Sequence, residues 1–561
     1  MRKRFFTYLV VMLAVTVVTL ALTTTMLSIR RPIAIQSPAK PRLTIVLLPL
    51  DSRPPCTQFV EQLAAIADIR LILPPSEMLD NYKTPGNKKA LREWLSTAIT
   101  GADAAIVSTD MLIHGGLLAS RLSLGTADDV TATVALLENI HHDHPTVKLY
   151  GFNIIPRLLL ADSAGNAAYQ NKMLKYSLLK DEVLAFENPT DIKELQVLEQ
   201  GLPPEIIQQY QVLHETSVKV NQTLIDLADN NVLAGLVIGQ DDGQPFGLPN
   251  LAKNRLQRYL SQRPELAGHV FITRGTDEVA LTLLGHIATQ DAGWQPRVFV
   301  KYSQPESAGI VMPFMPHSVS RTVEEKLAMV GAIPVEDAAT ADYTLYVHIG
   351  THKTKTSSLL AAAKEVGQMV AAGQRVALVD LSEDFYGHET LLPYLLKEDV
   401  TVNRLIAYAG WNTTSNSIGT AVTQATLFSQ ALDQNNSFDH VLRVYKFNLE
   451  FLAARFLDDW YYQKDVQVTV KNDLHNLKID ANNLGNRYQE VNHFVQRLMS
   501  SRATALSERV WLHHPLPINT DQGPKQLTVL DMQLESRLPW QRTFEVWLQP
   551  TLSLAAETKS L

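Results

Sequence analysis

Cysteine is almost absent from this chain of 561 residues, which contains a single one, Cys56. One thiol forms no intramolecular disulfide and cannot build a cysteine-rich zinc site or an iron–sulfur site. No histidine stands near Cys56 in the sequence, and a free cysteine usually behaves as a small buried hydrophobic residue. We therefore assign no catalytic role to Cys56.

The chain also lacks basic runs beyond its N-terminus. It has 50 Lys and Arg against 57 Asp and Glu, a formal net charge of -7. Nucleic-acid-binding proteins normally present a clustered basic face, so no nucleic-acid partner is expected. Hydrophobic residues at 46% and charged residues at 19% are typical of a globular chain.

Several catalytic motifs are missing. We find no nucleophile elbow, no phosphate-binding loop ending in Gly-Lys-Ser/Thr, no dinucleotide glycine fingerprint after the first strand and no kinase signature. The histidines at 348, 352 and 388 do not have metalloprotease spacing. Serine-hydrolase, nucleotide-hydrolase and NAD-dependent functions lose most of their support, and no cofactor is expected.

The N-terminus carries a long apolar stretch. Basic residues at positions 2–4 precede an uncharged run at 5–28, and Arg30 and Arg31 follow it. About twenty apolar residues cross a bilayer as a helix, and no convincing cleavage site follows. We predict that residues 1–31 form an uncleaved signal-anchor in the inner or cytoplasmic membrane, with a cleaved signal peptide as the alternative. The bulk of the chain would then be extracytoplasmic, that is periplasmic, after a stiff linker at 32–42.

From residue 43 onward, apolar runs alternate with helical periodicity, the pattern of parallel sheets covered by helices. The expected strands of a first unit, at 43–294, are Leu43–Leu50, Arg70–Leu73, Asp103–Ser108, Val147–Ile155, Val232–Ile238 and His269–Thr273. Those of a second unit, at 295–432, are Arg297–Tyr302, Ala332–Val335, Tyr343–His348, Val376–Leu381 and Arg404–Ala409. Residues 433–561 are expected to be mostly helical, with short β runs at Leu527–Leu534 and Arg542–Leu548.

Two architectures fit this order of elements. We favour an α/β fold with two doubly wound parallel-sheet lobes that face each other across a cleft, because the second unit forms one uninterrupted series. The alternative is a (β/α)8 barrel with an insertion, which would direct all the polar strand ends toward one point.

The central candidate site is Gly239–Gly247, which follows the apolar run Val232–Ile238 and contains Asp241 and Asp242. A buried strand that ends in two carboxylates delivers them to the edge where α/β folds bind ligands. Paired acids in unlike environments serve as general acid and base, or orient an N-acetyl group. Capping of the next helix, or an Asx turn, is the structural alternative.

Further charged residues stand at or just after other predicted strand ends. Asp110 and Asp277 are the reserve catalytic carboxylates, although capping also explains Asp277. Arginine pairs with carboxylates in a bidentate, geometry-specific way, either to bind an acidic substrate or to hold the acids in place. The candidate substrate-binding residues of this kind are Asp51, Arg53, Arg121, Arg157 and Arg274, and His114 is added as a possible acid or base.

The segment after the last strand of the second unit combines an aromatic ring with amides. Trp411 can stack on a sugar ring while Asn412 and Asn416 hydrogen-bond its hydroxyls or an acetamido group. The glycine-flanked entry into the following helix can alternatively bind a phosphate through backbone N–H groups. A packed core tryptophan is the structural alternative.

With these strand ends laid out, the chain resembles a bacterial family catalogued as domain-of-unknown-function family 4127. The matching segments are Leu48–Pro55, His114–Arg121, Gly239–Gly247, Arg274–Glu278, Ala409–Thr420 and Pro539–Glu545. The resemblance covers almost all of the predicted exported part, and in one departure Cys56 stands where the family commonly has Asn. It implies no particular activity, so function is argued from the residues.

We expect an extracytoplasmic hydrolase of a glycan or cell-envelope saccharide that uses these strand-end carboxylates, similar to a glycoside hydrolase. The alternative is a non-catalytic, two-lobed solute-binding protein in which the same residues hold a small polar ligand. No metal site is assigned, although a divalent cation held by Asp51, Asp110 and Asp242 is conceivable.

Overall fold

The computed structural model describes residues 32–35, 40–159, 167–512 and 514–558. The predicted membrane segment at 1–31 lies outside these residues, as does part of the predicted linker. Within the described ranges we find no helix with both the length and the hydropathy needed to cross a bilayer.

The first lobe is built on a parallel sheet of six strands in the order β2-β1-β3-β4-β5-β6. The strands are β1 Leu43–Leu48, β2 Ile69–Ile72, β3 Ala104–Ser108, β4 Lys148–Ile155, β5 Gly235–Gln240 and β6 Val270–Arg274. They form because short apolar runs can be buried on both faces of a parallel sheet. In β5, for example, every residue is buried.

The second lobe has a parallel sheet of five strands in the order β11-β10-β9-β7-β8. The strands are β7 Arg297–Tyr302, β8 Ile333–Val335, β9 Tyr343–Gly350, β10 Val376–Ser382 and β11 Ala407–Ala409. Neither sheet closes on itself within the described residues. The prediction of two parallel-sheet lobes is therefore confirmed, and the alternative of a (β/α)8 barrel is wrong.

Helices cover both sheets. In the first lobe they are Gln58–Ile66, Lys88–Ala98, Thr109–Ile113, Leu117–Ser120, Ala127–Asp143, Gln170–Phe186, Pro189–Gly201, Pro204–Asp229, Leu248–Leu260 and Val279–Ala292. In the second lobe they are Val319–Met329, Thr356–Ala371, Leu392–Lys397 and Thr414–Gln434. Local capping fixes several starts: Thr126, for example, forms a capping box with Asp129.

The C-terminal region is helical and then β. Its helices are Phe438–Arg455, Gln467–Asn476 and Tyr488–Leu506, with π-helical stretches at Phe456–Val466 and Ser507–Trp511. Three antiparallel strands follow: β12 Leu516–Thr520, β13 Gly523–Arg537 and β14 Trp547–Thr558. The expected β run at Arg542–Leu548 is largely wrong, because residues 538–546 form the loop that joins β13 to β14.

One hydrophobic core continues from the first lobe into the second. Gly285, in the helix Val279–Ala292, lies so close to the second lobe that an added Cβ would be 3.1 Å from Val330 and 3.4 Å from Thr423. Gln430 of the second lobe also donates a hydrogen bond to the carbonyl of Ala288 at 2.8 Å. The lobes are therefore packed against each other rather than joined by a linker alone.

Candidate functional site

The carboxyl ends of strands from the first lobe border a cavity of about 610 Å³, a size typical of small-molecule sites. The second lobe contributes the start of the helix Thr414–Gln434, and the C-terminal region contributes two loops. Nine of the thirteen candidate residues line this cavity: Arg53, Arg121, Arg157, Asp241, Asp242, Arg274, Asp277, Asn412 and Asn416. Their functional roles stay predictions.

Asp241 is held in place by Arg121. Nε and Nη2 of Arg121 donate to the two carboxylate oxygens of Asp241 at 2.8 and 2.9 Å, a bidentate pair that fixes both side chains. Burial disfavours the charged form of Arg121. The negative charges of Asp241 and Asp242 outweigh this effect, so the pKa of Arg121 is raised. Asp241 is only 5% exposed, so it serves as a fixed charge at the cavity wall.

Arg121 reaches this position through the turn before it. Gly116, which precedes the short helix Leu117–Ser120, has a φ of 125°, which glycine adopts far more readily than other residues. An added Cβ there would lie 3.0 Å from Oδ2 of Asp80. Gly115 and Gly116, which follow His114, are therefore explained by backbone conformation and close packing, without any role for His114.

Asp242 lies in a different environment although it is the next residue. Its backbone N–H donates to Oδ1 of Asp241 at 2.9 Å, while among the described residues no hydrogen bond reaches its own carboxylate, which lines the cavity. Burial, together with the negative charges of Asp241 and Asp277, raises the pKa of Asp242 to about 6. Two adjacent carboxylates thus lie in unlike environments, one ion-paired with Arg121 and the other facing the cavity, the arrangement that acid–base sites require.

A second ion-pair cluster forms the cavity wall around Arg53. Its guanidinium donates to Oδ2 of Asp51 at 2.6 Å and to Oδ1 of Asp277 at 2.7 Å. Arg53 and Asp277 line the cavity, whereas Asp51 is completely buried behind them. Burial raises the pKa of the Cys56 thiol beside this cluster well above its usual range, and the charges of Asp51 and Asp277 add to the effect.

Arg274, at the end of β6, connects the two lobes. Its Nη1 donates to Glu325 at 2.7 Å, and its backbone carbonyl accepts from Ser415 Oγ at 2.5 Å. A fully buried ion pair between Lys326 and Glu278, 2.6 Å long, lies beside it. These contacts bring the first turn of the helix Thr414–Gln434 against the end of β6.

The C-terminal loop supplies cavity residues that we did not select as site candidates. Arg542 is held by Glu545, with Nε at 3.0 Å from both carboxylate oxygens, and its guanidinium lies 4.9 Å from the ring centre of Tyr82 and 4.7 Å from that of Trp540. Phe544 follows and also lines the cavity. Both residues belong to Pro539–Glu545, one of the segments that carry the family resemblance, so the sequence contains a signal for this part of the cavity.

Three exposed apolar side chains line the outer part of the cavity, beside polar residues such as Lys83 and Asn482. Leu122, Phe314 and Phe544 line the cavity and are 49%, 47% and 44% exposed. Three lining residues other than glycine also have left-handed backbones: φ is 55° at Tyr82, 63° at Phe314 and 50° at Asn412. Such conformations are unusual for bulky residues and often mark functional sites.

Four candidate residues do not line the cavity. Asp51 lies behind Arg53, and Asp110 is buried with its carboxylate accepting from the backbone N–H of Ile154 at 2.9 Å. Burial raises the pKa of Asp110 well above its usual range. His114 accepts from the backbone N–H of Gly125 at 2.9 Å, and burial, aided by Lys88, lowers the pKa of His114 to about 4.

Trp411 is the fourth candidate residue that does not line the cavity. Its indole packs edge-on against Phe59 of the first lobe, with ring centres 5.7 Å apart, and its side chain is buried in the core shared by the lobes. The ring expected to stack on a sugar therefore faces Phe59 instead of the cavity. The rings that do line the cavity are those of Tyr82, Phe314 and Phe544.

The carboxylates considered for a divalent cation do not converge. Among the described residues, the group whose ligand atoms lie within 4.8 Å of one another is Asp51, Cys56 and Asp277. The guanidinium of Arg53 already occupies the space between the two carboxylates of that group. This donor set fits a buried guanidinium better than a metal ion, because the cation is already paired.

The fold and the cavity define an α/β protein of two parallel-sheet lobes with a polar, carboxylate-bearing cavity between them. A family model described as "Protein of unknown function (DUF4127)" matches residues 45–549. The match covers most of the chain, so the protein belongs to this family, as the sequence motifs indicated. A comparison with curated proteins finds no match.

Proposed function

We propose that the protein is a hydrolase of a glycan or cell-envelope saccharide, with Asp242 as its proton donor. The observation that supports this most is the contrast between two neighbouring carboxylates: Asp241 is fixed by Arg121, whereas Asp242 faces the cavity with its pKa raised to about 6. A glycosidic oxygen needs a proton as its bond to the sugar carbon breaks, and a carboxylic acid with a raised pKa supplies it.

In this mechanism Asp242 transfers its proton to the leaving oxygen, and a water molecule adds to the sugar carbon. Asp277, ion-paired with Arg53 at 2.7 Å, is the second carboxylate at the cavity and takes the proton of the attacking water. The Asp241–Arg121 pair acts as a positioning element, since the charge of Asp241 contributes to the raised pKa of Asp242.

The remaining lining suits a saccharide. Tyr82, Phe314 and Phe544 offer ring faces for the apolar face of a sugar, and the lining amides offer donors and acceptors for its hydroxyls. These lining amides are Gln240, Asn412, Asn416, Asn482 and Asn483.

A solute receptor that closes like a hinge is the second hypothesis, and the shared core argues against it. Hinge motion is expected where lobes meet over small, polar surfaces. Here Gly285 packs against Val330 and Thr423 of the other lobe, inside one continuous apolar cluster. Opening the lobes would expose that cluster to water, which favours a preformed enzymatic cavity over a closing clamp.

The proposal includes an extracytoplasmic location. It depends on the apolar run at 5–28 with basic residues on both sides, the signature of a signal-anchor whose charged end stays inside. A periplasmic hydrolase would meet its saccharide there without needing a transporter.

Turnover assays test the proposal. The full chain in detergent would be screened against aryl glycosides and cell-wall oligosaccharides, with and without chelator. On the identified substrate, kcat/KM should fall about tenfold per pH unit above roughly pH 6, and Asp242→Asn should reduce kcat by at least about 100-fold. Asp531→Asn, at an exposed position of β13, is the matched control. Full activity of Asp242→Asn would refute the assignment.

A further inference from the structure

The side-chain amide of one lining residue, Gln240, is buried and has no hydrogen-bond partner among the described residues. Gln240 is the last residue of β5, its side chain lines the cavity, and it is only 2% exposed. Among the described residues neither Oε1 nor Nε2 of its amide has a partner. Rotating the amide by 180°, which exchanges its oxygen and nitrogen, does not change this result, because one buried donor and one buried acceptor remain in either orientation.

Two more buried groups at the same cavity have unpartnered atoms within the described part of the chain. They are Oδ1 of Asn416, which is 3% exposed and lies in the first turn of the helix Thr414–Gln434, and Nε of Arg274. The two belong to neighbouring segments, since Ser415 donates to the backbone carbonyl of Arg274. Buried polar atoms are nearly always satisfied in native proteins, so such a group at a cavity indicates a missing ligand or bound water.

The mixture of donors and acceptors identifies the chemistry of that ligand. An anion such as phosphate or carboxylate accepts hydrogen bonds only, and it would leave the acceptor oxygens of Gln240 and Asn416 unsatisfied. A secondary amide offers one N–H and one C=O, which match a primary amide side chain in both directions. Nε of Arg274 is then a further donor for the amide oxygen.

The loop after β5 leaves room for this amide. An added Cβ at Gly243 would lie 3.1 Å from Nε2 of Gln240, and the backbone N–H of Gly243 donates to the carbonyl of Phe314 at 3.1 Å. The Gln240 amide thus lies against a backbone segment that is also hydrogen-bonded to Phe314 at the cavity wall.

We propose that Gln240 and Asn416, with Arg274, form a subsite for a secondary amide of the substrate, the acetamido group of an N-acylated amino sugar. This inference rests on the proposed saccharide function and narrows its substrate class. A peptide amide presents the same chemistry, and a separate arm of the experiment distinguishes it.

Isothermal titration calorimetry on the full chain tests the subsite with three probes: chitotriose, cellotriose, which has a hydroxyl in place of each acetamido group, and N-acetylalanine methylamide. Chitotriose should bind about tenfold or more tightly than cellotriose, as expected for two additional hydrogen bonds. In Gln240→Leu the ratio of the two dissociation constants should fall to within about twofold. Its melting temperature without ligand should not decrease, because leucine removes two buried polar atoms that have no partner in the described ranges.

Gln58→Leu is the matched control. Gln58 is also a buried glutamine, but its Nε2 donates to the carbonyl of Leu548 at 2.8 Å, so this variant should lower the melting temperature and keep the ratio. Equal affinities for the two saccharides, failure of every probe to bind, or a Gln240→Leu variant that keeps the ratio or melts as early as Gln58→Leu would each overturn the proposal.

The outcomes also separate this inference from the proposed function. Binding of N-acetylalanine methylamide alone, with the same dependence on Gln240, would uphold an amide subsite and refute the saccharide assignment. Preference for chitotriose together with full turnover by Asp242→Asn would uphold the subsite and refute the catalytic role of Asp242.

Discussion

The replacement Asp242→Asn should stabilise the protein at alkaline pH and leave its stability unchanged at acidic pH. The pKa of Asp242 rises from an ordinary 3.8 to about 6 in the folded protein. A carboxyl group whose pKa is raised by folding favours the folded state while it is protonated, and this advantage is lost as pH rises through the folded pKa. The change therefore develops between about pH 4 and pH 6.

The size of the effect follows from the shift. About two pKa units at 1.36 kcal/mol each correspond to about 3 kcal/mol in the free energy of unfolding above pH 7. Asparagine has nearly the same shape and carries no charge, so it avoids this cost. For a unit the size of one lobe, the melting temperature of the variant should exceed that of the wild type by roughly 6 °C at pH 8, and the two should agree at pH 4.

Asp241→Asn is the contrasting variant. It removes the bidentate hydrogen-bond partner of the nearly buried Arg121, and breaking a buried ion pair costs about 3–5 kcal/mol. Its melting temperature should fall at pH 8, opposite in sign to Asp242→Asn. Thermal unfolding followed by circular dichroism at both pH values measures the two effects. If Asp242→Asn lowered the melting temperature at pH 8 as Asp241→Asn does, the distinct environments of the two carboxylates would be refuted.

Three more predictions concern the rest of the fold. Cys56→Ala should keep turnover, and the thiol in the folded protein should resist alkylation because burial raises its pKa; rapid labelling by iodoacetamide would contradict this. Gly285→Ala should lower the free energy of unfolding by about 1–3 kcal/mol through overpacking against the second lobe, whereas Gly201→Ala, which meets open space, should not; equal melting temperatures would refute the close contact. Asp80→Asn should raise the melting temperature more at pH 9 than at pH 6, because burial raises the pKa of Asp80 to about 8 and the cost of ionising it in the folded state grows until the pH passes that value; an equal increase at the two pH values would contradict it.

The sheets were predictable because parallel strands have a strong local signal. An apolar run such as Gly235–Gln240 is buried on both faces, and polar residues begin where the run stops. Since parallel strands in one sheet end at the same edge, Asp241, Asp277 and Arg53 could be expected near each other from sequence position alone. These three side chains do line one cavity, although Asp51 and Asp110 at the same edge do not.

The orientation of individual side chains was not predictable in the same way. Trp411 follows a strand end as Asp242 does, yet its indole packs into the interface with Phe59. Which direction a residue takes depends on how the lobes pack, and that involves contacts hundreds of residues apart in sequence. Arg542 shows the same dependence, because only the tertiary fold brings the C-terminal loop beside Tyr82.

The lining of the cavity is the place where this chain departs from local preference in two independent ways. Tyr82, Phe314 and Asn412 have left-handed backbones there, and within the described part of the chain both amide atoms of the buried Gln240 are without partners. Each feature reduces the stability of the unliganded fold. Local inconsistencies of this kind are expected where a site is shaped for a ligand and not for folding. Because the two lobes share one apolar core, the fold can hold the left-handed residues and the buried amide in position without a closing movement. The cavity is therefore preformed in the absence of a ligand.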